Sequence, residues 1–165
     1  MRQSAVAVVG AGDPDLPSSD PLTDLAERVG AEVARAGGLV YCGGLGGVMA
    51  AACRGAKAAG GTTIGILPGG DRSAANPWVD VAIATGLGEA RNLVLVRSAD
   101  AVVAVGGGYG TLSEIAFARK LGRPVVGLHT WAARAAGDVT EPLVTEEEDP
   151  AAAVALALRL AHGQR

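Results

Sequence analysis

Aromatic residues are scarce in this chain: two Trp, two Tyr and one Phe among 165 residues. Hydrophobic residues still make up 49%, so the core has to be filled by Ala, Val and Leu. Cysteine is almost missing. Cys42 and Cys53 show no metal-ligand spacing and cannot build a disulfide framework, so reduced thiols are expected. Lysine is limited to Lys57 and Lys120, both on helical stretches, which leaves none at a strand end for Schiff-base chemistry. Positive charge is not in excess: the net charge is −3 and the pI near 5.3, with no electrostatic footprint for nucleic acid. No apolar run reaches the ~18 residues of a membrane span. Met1 to Ser4 lead straight into a strand-like run without a signal-peptide pattern. No nucleic-acid or membrane partner and a cytoplasmic location are therefore expected. The pattern GxxxxGK[ST] is absent, which excludes a P-loop NTPase. His129 and His162 have no partner at ligand spacing, so no metal site is expected, and no cofactor.

What the chain has is glycine, 25 residues gathered in clusters that follow apolar runs. The runs are Ala5–Val9, Leu39–Cys42, Thr62–Leu67, Val79–Ala84, Ala101–Val105 and Val125–Leu128. Helical patterns lie between most of them, at Leu22–Ala36, Gly46–Ala59, Glu89–Ser98 and Thr111–Leu121. Continuously apolar strands alternating with helices predict an α/β fold: a Rossmann-like, doubly wound parallel sheet of six or seven strands, with helices on both faces. No linker or repeat interrupts the pattern, so residues 1–165 are expected to form one domain. Asp149-Pro150 reads as an N-cap followed by proline at the first helical position, opening a C-terminal helix at about 150–162. That helix is apolar almost all round. Burial in the fold or in a subunit interface follows, and a homodimer is expected.

The stretch Ala104 to Glu114 carries the chemistry. Gly106, Gly107, Gly108 and Gly110 let the backbone approach a ligand closely, and the helix opening near Thr111 offers unpaired N–H groups to an anion. Glu114 has two readings. It is the carboxylate of a ligand site, or the N3 residue of a capping box, Thr111-Leu112-Ser113-Glu114. Tyr109 either stacks on a base or covers the loop. The first strand ends in Gly10-Ala11-Gly12, half of a dinucleotide fingerprint, but Asp15 stands where the third glycine belongs. Pro14, Pro17 and Pro21 lengthen the turn beyond the usual tight one. A nicotinamide-dependent oxidoreductase is disfavoured on that ground.

Taken with Arg91, the stretch Gly106–Glu114 resembles the LOG family of cytokinin-activating phosphoribohydrolases, once mislabelled lysine decarboxylases. The family pattern PGGxGTxxE is matched at Gly107, Gly108, Gly110, Thr111 and Glu114, with Gly106 in place of the proline. The family's Arg-Lys pair stands here as Arg91-Asn92. Val40 to Gly44 and Gly47 to Met49 are similar to its second glycine-rich loop, and the resemblance runs from about Val6 to Leu128. Ile66 to Gly69, Asn76-Pro77 and Thr85 to Asn92 look like a bacterial branch close to the molybdenum-cofactor carrier proteins, which share the fold and act by binding.

The resemblance implies a nucleoside 5′-monophosphate or similar phosphorylated ligand. Its phosphate would lie on Gly107, Gly108, Tyr109, Gly110 and Thr111, with Gly12, Gly43, Gly44 and Asn92 completing the binding set. As a phosphoribohydrolase, the protein would cleave the N-glycosidic bond to free base and ribose 5-phosphate, with Arg91 and Glu114 as catalytic residues. As a carrier of a nucleotide or molybdenum cofactor, it would only hold the ligand. Retained Arg91 and Glu114 favour hydrolysis, which is the function expected; Gly106 and Asn92 favour carriage, the alternative.

Overall fold

The computed structural model describes residues 2–134, 136–137 and 141–163. Seven strands form one parallel sheet: β1 (Ala5–Gly10), β2 (Leu39–Cys42), β3 (Thr62–Leu67), β4 (Val81–Ala84), β5 (Ala101–Val105), β6 (Val125–Leu128) and β7 (Thr145–Glu146). Their order is β4-β3-β2-β1-β5-β6-β7. The helices are α1 (Pro21–Arg35), α2 (Val48–Ala58), α3 (Arg91–Ser98), α4 (Tyr109–Lys120) and α5 (Pro150–Gly163). This is the expected Rossmann-like architecture, with β7 as the seventh strand.

Both faces of the sheet are covered, which explains why the strands read as unbroken apolar runs. On one face α1, α2 and α5 pack over Val6, Val8, Val40, Val103, Val105, Val126 and Leu128. On the other, α3 and α4 lie over Ala7, Val9, Ile64, Ile66, Val102 and Ala104, with Leu95 and Ile115 reaching in from the helices. Alternate residues of one strand serve opposite layers, as strand geometry requires. Small β-branched side chains fill both layers, so the shortage of aromatics is accommodated.

The differences from expectation are local. The strand expected from Val79 starts at Val81, because Val79 N–H is committed to a turn with the Asn76 carbonyl. β7 has only two residues, both exposed, so it leaves no apolar trace. Helix α5 buries one stripe, Ala153, Val154, Ala157 and Ala161, while Leu160 faces out. The most consequential difference is at α4, which starts at Tyr109 rather than Thr111. Gly108 is then the N-cap, and Glu114 falls in the second turn, out of reach of a capping box.

Strand order reverses between β1 and β5, so the crevice beyond their carboxyl ends is where an α/β sheet of this kind takes a ligand. The connection from β1 to α1 there is long and proline-bearing. The connection from β5 to α4 is only Gly106, Gly107 and Gly108.

Candidate functional site

The short β5–α4 turn produces a row of unsatisfied donors. Gly106 (φ 56°) and Gly107 (φ 109°) are both in the left-handed region, which side chains rarely tolerate. A Cβ at Gly107 would meet the Thr111 side chain at 2.2–2.7 Å. Gly106 N–H donates to the Leu128 carbonyl (3.0 Å), and the α4 ladder begins with Leu112 N–H to the Gly108 carbonyl (3.1 Å). Between them, the amides of Gly107, Gly108, Tyr109, Gly110 and Thr111 find no acceptor among the described residues. Gly108 supplies no capping side chain. The positive end of the helix dipole points the same way, contributing about 0.3–2 kcal/mol toward a bound anion. These residues are the ones expected to cradle a phosphate, and the structure brings them together.

Arg91 opens α3 and reaches back over the ends of β2 and β3. Its Nη1 donates to the carbonyls of Gly43 and Ile66, and its Nε donates to Asn92 Oδ1 at 2.9 Å. Nη2 is left without an acceptor among the described residues. A Cβ at Gly43 would stand 2.5 Å from Nη1, so glycine is what admits the guanidinium. Asn92 is buried and also donates from Nδ2 to Ser113 Oγ (3.1 Å), which in turn donates to the Gly110 carbonyl (2.6 Å). Asn92 thereby ties Arg91 to the first turn of α4.

Glu114 is only 8% exposed, and no described residue donates a hydrogen bond to its carboxyl group. Burial pushes its pKa up to about 7, with Arg91 as the opposing influence. Burial also draws Arg91 below its ordinary value, against the pull of Glu114. A carboxyl group that titrates near neutrality and lacks a structural partner is a candidate functional group.

The remaining expected residues have other occupations. Gly44 N–H is already given to Cys42 Sγ (3.3 Å), and its carbonyl accepts from Asn76 N–H (2.8 Å). Gly12 lines a depression of about 350 Å³ with Pro14, Leu45, Gly46, Ala74 and Asn76, whose walls include no cradle residue. Cys42 and Cys53 are free and buried, with their sulfurs 3.3 Å apart. The hydrogen bond between them holds Cys42 below the usual thiol range and raises Cys53. His162 contacts Ser4 Oγ at 3.0 Å. His129 borders a larger cavity, about 630 Å³, walled by Glu146, Glu147, Glu148 and Asp149; that acidic wall repels an anion. Among the described residues no group of three or more His, Cys, Asp and Glu could hold a metal ion. No described helix is long and apolar enough to cross a membrane.

Two residues at the site were not read from the sequence. Thr130 Oγ1 donates to the Gly106 carbonyl (2.6 Å), and Trp131 Nε1 donates to the Gly108 carbonyl (3.0 Å). By holding these carbonyls, the loop after β6 fixes which way the intervening amides face. The available signal was a rare tryptophan three residues beyond an apolar run.

Comparison with known proteins agrees with this fold. Residues 3–159 match the family model of the SLOG cluster4 family. An uncharacterized protein of Archaeoglobus fulgidus is 44% identical over 128 residues, covering 78% of this chain and 82% of the relative. The molybdenum cofactor carrier protein of Chlamydomonas reinhardtii superposes with a TM-score of 0.81 at 37% identity, over 98% of this chain and 99% of that one. A molybdenum cofactor binding protein from Rippkaea orientalis gives 0.73 at 36%, over 99% and 88%.

Proposed function

The chain belongs to the SLOG cluster4 family, and from that premise we propose that it binds a phosphorylated small molecule of the nucleotide or molybdenum-cofactor type and holds it intact. The observation that carries this reading is the row of five backbone amides, Gly107 to Thr111, without acceptors among the described residues at the N-terminus of α4. A phosphate placed there accepts several charge-assisted hydrogen bonds, each contributing about 1.5–3 kcal/mol. Arg91, linked to the Gly110 carbonyl through Asn92 and Ser113, keeps Nη2 without an acceptor among the described residues.

Holding is favoured over cleavage by two features. Arg91 is pinned by two carbonyls and Asn92, so it orients rather than follows a reacting group. Gly106 has a backbone conformation (φ 56°) that the proline of the LOG pattern, fixed near −65°, does not adopt. The relatives described as molybdenum cofactor binding and carrier proteins support the same reading.

Hydrolysis is the second reading, and Glu114 alone favours it. A carboxyl group near neutrality is suited to general acid or base work at pH 7. In that reaction water adds to the anomeric carbon, the N-glycosidic bond breaks and the departing base takes a proton.

The test is incubation with AMP and GMP, following both binding and release of base. The expected result is binding that weakens in Gly108→Asp, whose carboxylate would occupy the amides, without release of adenine or guanine. Release that disappears in Glu114→Gln would replace carriage with hydrolysis.

A further inference from the structure

We propose that Tyr109 and Trp131 form an aromatic wall on which the planar heterocycle of the bound phosphorylated ligand stacks, on the flank of the α4 N-terminus away from Arg91 and Glu114. The inference rests on the phosphate cradle described above.

Only five aromatic residues are present in the chain. Tyr41, Phe117 and Trp78 pack against the core, as one side of the half-buried Trp131 does. Tyr109 is 83% exposed, at the first position of the helix whose amides face the ligand. Its ring lies 5.7 Å from that of Trp131 with a 37° tilt. That spacing is an ordinary aromatic contact with no room for a third ring between, so the outer surfaces are the ones available. Trp131 is anchored: its Nε1 is bonded to the Gly108 carbonyl, and neighbouring Thr130 to that of Gly106. A Cβ at Gly108 or Gly110 would meet nothing within 4 Å, which leaves open space beside the rings.

The sheet order places this wall. The cradle follows β5; Trp131 follows β6, one strand to one side. Arg91 is anchored at the ends of β2 and β3, two and three strands to the other side. Tyr109 and Glu114 are five positions apart on α4, roughly 140° around its axis. A ring stacked on the wall therefore points away from Glu114, and its linkage to the sugar or side chain is kept from that carboxyl group.

The probes are AMP and ribose 5-phosphate, which share the phosphate and differ by the base. In a Trp78→Phe variant, Trp131 is the sole tryptophan. AMP is expected to quench its fluorescence, while ribose 5-phosphate binds without quenching. By calorimetry, with both tryptophans kept, Tyr109→Ala is expected to weaken AMP about 10-fold and to leave ribose 5-phosphate unchanged. Equal losses for both ligands, or AMP binding without quenching, would overturn the wall while leaving the cradle standing. If neither ligand binds, the cradle itself fails, and the wall with it.

Discussion

Helices α1 and α4 begin in opposite ways. At α1, Asp20 accepts a hydrogen bond from Leu22 N–H at 2.8 Å, and Pro21 removes a donor that would otherwise need a partner. Helix α5 repeats the device with Asp149, bonded to Ala152 N–H at 2.9 Å, and Pro150. Helix α4 has glycine before it and no capping side chain. Every helix leaves its first amides unpaired; α1 and α5 are capped by an aspartate, whereas α2, α3 and α4 have no capping side chain. Local self-satisfaction stabilises the fold at α1 and α5; at α4 the amides of Gly107 to Thr111 have no acceptor among the described residues.

The largest break in this contrast comes from Gly106→Pro, which restores the LOG-pattern proline. Proline does not reach φ 56° and removes the N–H given to Leu128. The expected cost is about 3 kcal/mol or more, seen as a melting temperature lower by roughly 6–12 °C. A neutral substitution would mean that the loop can take the family conformation, and the argument from Gly106 against hydrolysis would lapse.

Gly108→Asp turns α4 into a copy of α1. Gly108 is extended (φ −100°, ψ −154°), and a Cβ there meets nothing within 4 Å. The new carboxylate is expected to cap the helix, adding a few tenths of a kcal/mol of stability, while lowering affinity for AMP by about 100-fold through occupied amides and like charge. Stability and binding should move in opposite directions. A melting scan beside a calorimetric titration reads both, and unchanged affinity would place the anion elsewhere.

Glu114 sharpens the contrast through pH. Its carboxyl group titrates near 4.5 when unfolded and at about 7 in the fold. Between these values the native state holds a proton that the unfolded chain has released, so stability falls as pH rises from about 4.5 to 7 and then levels. Glu114→Gln is expected to remove that slope and to be more stable than the parent at pH 8, on the order of 3 kcal/mol. Parallel stability curves for the two proteins would show that Glu114 is not desolvated as described.

Much of this was legible in the sequence, because both sheet faces are buried and the strands announce themselves as apolar runs ended by glycine. The glycine turn after β5 was legible because a glycine cluster at a strand end marks backbone in the left-handed region, as at Gly106 and Gly107. The start of α4 was not, since Gly-Tyr-Gly reads as loop when tertiary contacts are unknown. That two-residue error made Glu114 a capping candidate, whereas its burial in the second turn frees it from that task. Trp131 was missed because a side chain–backbone bond across two loops leaves no local pattern. β7 was missed because two exposed residues carry no hydrophobic signal.

The smallest effect tests the other half of the comparison. Asp20→Ala leaves Leu22 N–H without its acceptor, and Pro21 cannot rearrange to share the loss. The expected cost is about 1 kcal/mol, or a melting temperature lower by roughly 2–4 °C in a chain of this size. Asp20→Gly should cost only a few tenths, because an unoccupied cap can be hydrated. Neither variant should alter AMP affinity, since Asp20 serves the fold and touches no cradle amide. A loss of affinity in Asp20→Ala comparable to that in Gly108→Asp would mean that the two helix ends are coupled. The division between an end that stabilises and an end that binds would then fail.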